Sequence, residues 1–380
     1  MTNNVVDLML SNIQKLPEQC HRALQIAACI GSPFNLSLLA SVSNTPIRAM
    51  QTHLLSAVSE GLLIPLDSHY DSRSGLRFER TRYRFVHDRV QQAAYMQIPE
   101  TQRNQLHLQI GRLLKQQPNT PWFDITNHLN TAHMLITDEE ERLALAQLNA
   151  LSGQQALEAA AFEAANRYFD MGIDLLPTAH WRTHYPLSLR LFTQGAEAAY
   201  LSGQYARMES LITAVITHAQ QLLDTVRVYE VRIQSHVARN QFEQAVQSAI
   251  HILAQLGVTL PATPGNVQIW HSYLNTQWLL RKYPAHMLTE RPSAQKPEHL
   301  AALSILASMF GAVKFSSSRL RPLVMAKEVE LTLRYGLAPH SSMALAGYGG
   351  VLCSQYRAIE QGYALGKQAV LLDQTQPESL

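Results

Sequence analysis

The sequence predicts a nearly all-α protein in which a helical domain with one small β-hairpin leads into an array of helical hairpins. Three observations predict it. Apolar residues recur at helical spacing over most of the 380 residues. One short stretch, residues 77–85, instead alternates apolar with charged side chains. From about Phe123 onward, alanine-dense helical segments alternate with short polar turns.

The first domain is assigned to residues 1–115. Leu16-Pro17-Glu18 opens a helix whose Ala23, Leu24, Ala27, Ala28 and Ile30 recur at helical spacing, and Gly31 stops it. Residues 36–42 make a short second helix. Ser43-Asn44-Thr45-Pro46 turns the chain, and Pro46 suits the first turn of a third helix that runs to about Glu60 and ends at Gly61. Residues 62–66, a polar turn over 67–75, and the alternating run with Phe78, Tyr83 and Phe85 read as a β-hairpin. Three helices followed by a hairpin is the order of a winged helix. Residues 87–115 return to helix, broken near Ile98-Pro99.

Residues 116–260 read as repeats. Phe162, Tyr205 and Phe242 each follow a run of small residues at a helix–turn–helix junction and stand 43 and 37 residues apart. That brackets the roughly 34–47 residue period of helical hairpins near the tetratricopeptide (TPR) type. Small residues let paired helices approach closely, and the aromatic fills the gap between neighbouring hairpins. A single repeat cannot bury such a face, whereas a stack can, so a TPR-like α–α superhelix follows. Leu260-Pro261-Ala262-Thr263-Pro264-Gly265 interrupts it. Residues 261–380 are expected to be further helical repeats, truncated because no capping repeat precedes the end.

Charge excludes some functions. Lys and Arg number 31 against 29 Asp and Glu, a net charge of +2, which gives no electrostatic argument for nucleic acid, an anionic membrane or an acidic partner. No run of eighteen apolar residues and no signal-peptide pattern occurs, so no membrane is expected. Cys20, Cys29 and Cys353 have no CxxC spacing and read as buried reduced thiols, which places the chain in the cytoplasm.

Catalytic motifs are missing. Gly362-Tyr363-Ala364-Leu365-Gly366-Lys367-Gln368 is the nearest string to a phosphate-binding loop, but its first glycine is misplaced and Gln368 stands where a Mg²⁺-holding hydroxyl belongs. His87-Asp88-Arg89 is not the kinase order. His180 and His184, four apart, would share a helix face as zinc ligands do, yet no acidic or cysteine third ligand stands at a matching spacing, so they read as a satisfied surface or groove pair. The expectation is a chain that is not an enzyme, holds no metal and carries no cofactor of its own. Small-molecule binding by the array stays open.

DNA is the alternative. A winged helix would read it with residues 46–60, which offer Arg48, Gln51 and His53. Arg73, Arg77, Arg80, Arg82 and Arg84 cluster on the wing with Glu79 among them, which reads as a solvated strand face. Nucleic acid is therefore not the expected partner. A DNA-binding transcriptional regulator with a helical-repeat sensor arm is the second reading.

One string carries a sharper signal. In Arg82-Tyr83-Arg84-Phe85-Val86-His87-Asp88-Arg89-Val90-Gln91-Gln92-Ala93-Ala94-Tyr95 a strand ends in His-Asp and a helix begins at once. Asp88 can cap that helix. His87 either donates to a phosphate or carboxylate of a neighbouring domain or is a buried, hydrogen-bonded histidine; the residues alone leave both open.

This string, with Val5-Val6-Asp7-Leu8-Met9, Leu16-Pro17-Glu18, Leu24-Gln25-Ile26-Ala27-Ala28-Cys29-Ile30-Gly31, His107-Leu108-Gln109-Ile110-Gly111-Arg112-Leu113-Leu114, Phe123-Asp124-Ile125-Thr126-Asn127-His128-Leu129-Asn130 and Leu222-Leu223-Asp224-Thr225-Val226-Arg227-Val228-Tyr229-Glu230, resembles one multidomain bacterial family. Its members join a serine/threonine kinase, a STAND-type AAA-like ATPase and a sensor histidine kinase. The resemblance covers most of the first 260 residues. It implies that residues 1–115 correspond to the winged-helix end of the ATPase module and the rest to the helical repeats after it. It also implies that His87 is the phosphate sensor for ADP or ATP held by an ATPase core that is not in this sequence. Partners would then be another protein, or the ATPase and kinase domains of the same parent. The chain would be a fragment of such a protein or a remnant of one.

Overall fold

The computed structural model describes residues 13, 15–66, 81–118, 120–284, 287–288, 291–316 and 319–375. The described residues are predominantly helical, with one small sheet. They fall into two compact units: residues up to Gln155 with Asp170–Thr178, and Ala156–Phe169 with Ala179 onward.

In the first unit, α1 (Glu18–Ile30) is followed by β1 (Phe34–Asn35), α2 (Leu36–Val42), α3 (Ile47–Ser59), β2 (Leu63–Pro65) and β3 (Arg82–Phe85). The sheet is antiparallel in the order β1-β3-β2. Tyr83 pairs with Phe34 on one side and with Pro65 on the other. The hairpin is therefore present, and β1 is a third strand that two residues were too short to announce. Along β3 the pattern alternates: Tyr83 and Phe85 are buried on Phe34, with ring centroids 6.0 and 5.8 Å away, while Arg82 and Arg84 face out. Arg73, Arg77, Phe78 and Arg80 lie outside the described residues, as does the 5–9 string. The core beneath is aliphatic: Leu24, Ala27, Leu36, Leu39, Leu54 and Ala94 are all buried.

α4 (Asp88–Met96), α5 (Glu100–Gln116) and α6 (Trp122–Thr131) complete this part of the fold. Prolines set several helix starts. Pro17, Pro46, Pro99 and Pro121 each stand at the N-cap with φ of −54°, −56°, −56° and −58°. The ring fixes φ near the helical value, and the missing N–H is one the first turn could not have used. Pro46 thus sits just before α3 rather than in its first turn. At the α5–α6 contact, a Cβ on Gly111 would lie 2.6 Å from Leu129 Cδ2, so this glycine is what lets the two helices close.

α7 (Glu139–Glu158) and α8 (Phe162–Asp174) follow, each contributing residues to both units. The second unit continues with the short α9 (His180–Thr183), then α10 (Tyr185–Leu201), α11 (Tyr205–His218), α12 (Val226–Ala238), α13 (Phe242–Gln255) and α14 (Asn266–Lys282). After these come α15 (Pro297–Ser308), α16 (Phe310–Ser316), α17 (Leu320–Tyr335), α18 (Ser341–Gln355) and α19 (Ile359–Thr375). Phe162, Tyr205 and Phe242 are the first residues of α8, α11 and α13, where the spacing predicts them.

The turns before those aromatics are the same object. Ala160, Gly203 and Asn240 are left-handed, with φ of 55°, 77° and 58°. Each N–H reaches back three residues, to Leu157, Tyr200 and Val237, at 2.9, 3.0 and 3.0 Å. The next N–H reaches back five, to Ala156, Ala199 and His236, at 2.8, 2.7 and 2.8 Å. That pair of bonds satisfies the last carbonyls of the first helix and reverses the chain. Arg239, in the third turn, lays its guanidinium 4.9 Å over the Tyr205 ring, joining one junction to the next.

One continuous core runs from Val226 to Leu372, through Ile233, Ile252, Leu306, Val329, Tyr348 and Leu365. Residues 297–315 are long and apolar enough to cross a bilayer by composition. In the fold they form α15 and α16, and Ala302, Ile305, Leu306 and Val313 are buried where these helices pack on α12, α13 and α17. Beyond them, α18 and α19 touch nearly backbone to backbone. A Cβ on Gly362 would lie 2.6 Å from the Gly349 carbonyl and collide with Cys353 Sγ. The Gly362–Gly366 string therefore lies inside α19, and Gly362 serves helix packing there.

These glycines separate experimentally. Gly362→Ala overfills the α18–α19 contact and lowers stability by about 1–3 kcal/mol in urea unfolding. Gly350→Ala, on the open side of α18 where a new Cβ meets nothing within 4 Å, raises it by about 0.5–1 kcal/mol through the helix propensity of alanine.

Candidate functional site

His87 closes the strand–helix corner. β3 ends at Phe85, whose N–H donates to Ser32 Oγ at 3.2 Å, and Val86 N–H bonds the Leu62 carbonyl at 3.1 Å. The chain then turns with His87 at the N-cap of α4, in extended conformation (φ −136°, ψ 140°). Its side chain is exposed and makes no capping bond. Asp88, expected to cap, is instead the first helical residue. It places its carboxylate in the first turn, where the N-terminal end of the helix dipole favours negative charge. Buried Val90, Ala93 and Ala94 pack α4 on α1, and Gln91 Nε2 donates to the Ala28 carbonyl at 3.2 Å. The corner is a fixed one, and His87 projects from it into solvent.

The other end of α4 leads to a site that the sequence reading missed. Tyr95 Oη lies 3.0 Å from His107 Nε2, and His107 Nδ1 lies 2.8 Å from His128 Nδ1. Both imidazoles are buried, 8% and 9% exposed. The Ile30 carbonyl accepts from His128 as well. One proton arrangement satisfies the chain: His128 donates to Ile30, His107 donates to His128, and Tyr95 donates to His107. All three rings are neutral in it. Burial lowers the pKa of His107 to about 4, helped by the neighbouring His128 and by Arg103. Burial does the same to His128, against the opposing pull of its bond to Ile30. His107 comes from α5 and His128 from α6, 21 residues apart, so no local spacing could have paired them.

The other sequence-derived candidates resolve differently. His180 and His184 do not share a helix face, because His180 begins the short α9 and His184 is the residue after its end. His180 Nδ1 is 2.9 Å from Ser188 Oγ, and its ring stacks on Phe192 with centroids 5.6 Å apart. Beside it Trp181 stacks flat on His218, 5.0 Å away at 3°. This is a packing cluster. Among the described residues no group of His, Cys, Asp and Glu has the geometry for a metal. Cys20 and Cys29 are buried, and burial raises both thiols, Cys29 to about 12, so neither is a nucleophile near neutral pH. Cys353 is half-buried instead of buried.

On α3, Arg48 is exposed while Gln51 and His53 are half-buried. One cationic side chain is few for a face that must neutralise several phosphates. Between α1 and α5 lies a polar cleft of about 590 Å³ that includes Glu18, Arg22, Gln102, Gln105 and Gln109. It offers carboxamides, one ion of each sign and His21, whose Nε2 is already bonded to Gln97 Oε1.

The Leu222–Glu230 string proves to be a joint. Asp224 Oδ2 accepts from Tyr185 Oη and, at 3.1 Å, from the Gln221 N–H. Arg227 pairs with Glu230 at 2.9 Å and with Glu197 of α10, while Glu230, buried, also accepts from Ser304 of α15. Three helices are tied by one guanidinium, two carboxylates and the Ser304 hydroxyl.

The histidine chain predicts a pH dependence with a defined sign. The unfolded state holds histidines near 6.5, so between pH 6.5 and 4 it binds more protons than the folded state. Stability is fully present above pH 6.5 and is lost as the pH falls through that window, by about 3 kcal/mol for a single ring. Urea unfolding at pH 7.5, 5.5 and 4.5 measures it. The double variant His107→Leu, His128→Leu flattens the dependence; an unchanged slope in that variant would assign the effect to other groups.

No protein-family model matches the chain. Among curated proteins, hybrid signal transduction histidine kinase G of Dictyostelium discoideum is 23% identical over 449 residues, taking in 99% of this chain. The chain spans 13% of the length of that protein. Among solved structures, a Signal Transduction ATPase with Numerous Domains (STAND) protein with a tetratricopeptide repeat sensor, from Pyrococcus horikoshii, aligns with 96% of this chain and 46% of its own, at 11% identity and a TM-score of 0.36. The chain thus resembles, across nearly its whole length, part of a signal-transduction histidine kinase.

Proposed function

We propose that this chain is a regulatory and protein-interaction segment of a signal-transducing ATPase–kinase, not itself an enzyme. The carrying observation is the likeness over 99% of the chain to a signal-transduction histidine kinase of which it spans 13%. In this reading the helical hairpins are sensor or scaffold, and the helix–hairpin lobe is a nucleotide-dependent lid. Catalysis and the bound ATP or ADP belong to other domains of the parent. Those domains, or a separate protein, are the partners, and the compartment is the cytoplasm.

The lid contact falls to His87. Its imidazole stands exposed at the head of α4 and makes no capping bond to that helix. An exposed imidazole at a helix N-terminus, where the helix dipole favours negative charge, suits a phosphate. Signal transmission then needs one condition: a partner on the array must favour one lid position over the other, because a ligand shifts an equilibrium only by its differential affinity.

The test is nucleotide titration of the ATPase-containing parent with His87→Ala. Loss of one charge-assisted hydrogen bond, worth about 1.5 kcal/mol, weakens ADP roughly tenfold. The melting temperature stays put, because the side chain is exposed. Unchanged ADP affinity together with unchanged basal hydrolysis would remove the lid role.

A further inference from the structure

α14 has one side that its own fold uses and one that it leaves exposed. One side is buried, with Thr276 and Leu279 in the interior where the helix packs on α17. The opposite side carries Val267, Trp270, Leu274 and Trp278, which are 82%, 56%, 62% and 59% exposed. Their spacing of three, four and four residues puts them on a single stripe. Two half-exposed tryptophans in one stripe form a contiguous apolar patch, the kind that marks an interaction site. The rings are already placed. Trp270 meets Tyr273 and Tyr356 edge-on at 5.6 and 5.8 Å, and Tyr273 stacks on Tyr356 at 4.1 Å.

Beside the stripe, and sharing Val267 with it, runs a cleft of about 500 Å³ between α14 and α17. Gln268, His271 and Asn275 form one wall; Lys327, Glu330 and Arg334 line the other. Glu330 is buried and already paired, with Lys327 Nζ at 2.6 Å and Arg334 Nη2 at 3.1 Å. Arg334 still exposes 42% of its side chain, and Arg281 and Lys282 stand exposed at the end of α14. Lys282 Nζ hangs 5.9 Å over the Trp278 ring, so cation and apolar stripe adjoin. The charge left over around the stripe is positive, although the chain as a whole is nearly neutral.

We propose that this face of α14 and α17 docks an acidic amphipathic helix of a partner protein. This deepens the protein-interaction reading above by naming the chemistry of the partner. Apolar side chains at positions i, i+4 and i+7 of the incoming helix lie along Trp270, Leu274 and Trp278, and flanking carboxylates reach Arg334, Lys327 and Lys282. A recess walled by carboxamides and a satisfied carboxylate fits side chains that enter it. A bilayer surface would call instead for lysines and arginines along the whole polar face.

The full chain is titrated into three probes, with anisotropy or co-sedimentation as the readout. The first is a fluorescein-labelled model helix with Leu at i, i+4, i+7 and i+11 and Glu on both flanks. The second is the same peptide with Lys for Glu, and the third is vesicles of phosphatidylserine and phosphatidylcholine. The acidic peptide binds in the micromolar range and the basic one at least tenfold more weakly. Trp270→Ala and Trp278→Ala each weaken the acidic peptide about tenfold or more, with circular dichroism unchanged. Lys327→Gln with Arg334→Gln abolishes the preference between the two peptides and most of its salt dependence. Equal binding of both peptides, indifference to Trp270→Ala, binding to vesicles in place of peptide, or self-association lost on Trp278→Ala would each overturn the proposal. Such a failure leaves the ADP titration of His87→Ala untouched, since that reads a residue of the other unit.

Discussion

A left-handed residue at the end of one helix is the constraint on which the rest of the array depends. At Ala160, Gly203 and Asn240 the chain must leave the helical region for a single residue, satisfy two carbonyls and re-enter a helix two residues later. Only then does the following aromatic start the second helix, as Tyr205 does where Arg239 of the next junction lies over its ring. Glycine takes that conformation without cost, and asparagine tolerates it. Ala160 holds it at a cost of about 1–2 kcal/mol, which the packing of the hairpin must offset. The turn thus converts a sequence period into a structural one, and the shared core from Val226 to Leu372 follows from stacking hairpins that none could bury alone.

How legible the fold was tracks how local its determinants are. Residues 36–42 as a helix, the break at Ile98-Pro99, Gly31 and Gly61 as stops, and Phe162, Tyr205 and Phe242 at junctions all rest on signals within a few residues, and each stands where the pattern put it. The departures have equally specific causes. β1 is two residues long, below the length at which alternation can be read. His180 and His184 would have shared a face had one helix run through both. Instead α9 ends at Thr183, and His180 turns to Ser188 and Phe192.

The candidate site divides along the same line. His87 was visible because a strand and a helix meet at it, and that junction is written in the sequence. His107 and His128 were in plain sight, inside two of the strings that carry the family resemblance, yet their meaning lies in a contact between helices. Nothing in either string says that the two rings meet. The charge of the α14–α17 face was hidden differently. A net charge of +2 over 380 residues averages away a face where Lys327 and Arg334 line a cleft around one carboxylate already paired, and Arg281 and Lys282 stand exposed at the end of α14. Composition bounds the behaviour of the whole surface and not of a patch.

The two ends of α4 constrain how the first unit can respond to a ligand. At one end His87 is free to solvent; at the other Tyr95 is held by a neutral, fully satisfied hydrogen-bond chain running to the Ile30 carbonyl. Sliding α4 alone would strip Tyr95 from His107 and leave buried donors and acceptors unpaired, at about 1–3 kcal/mol for each. It would also break Gln91 from Ala28. Moving α1, α4, α5 and α6 together breaks none of these bonds. In the proposed lid, a phosphate contact at His87 would therefore be transmitted as displacement of the lobe as a body, with the histidine chain as the rivet that keeps it one body. The buried pair is then a condition for the proposed lid, although neither ring comes near the nucleotide in that mechanism.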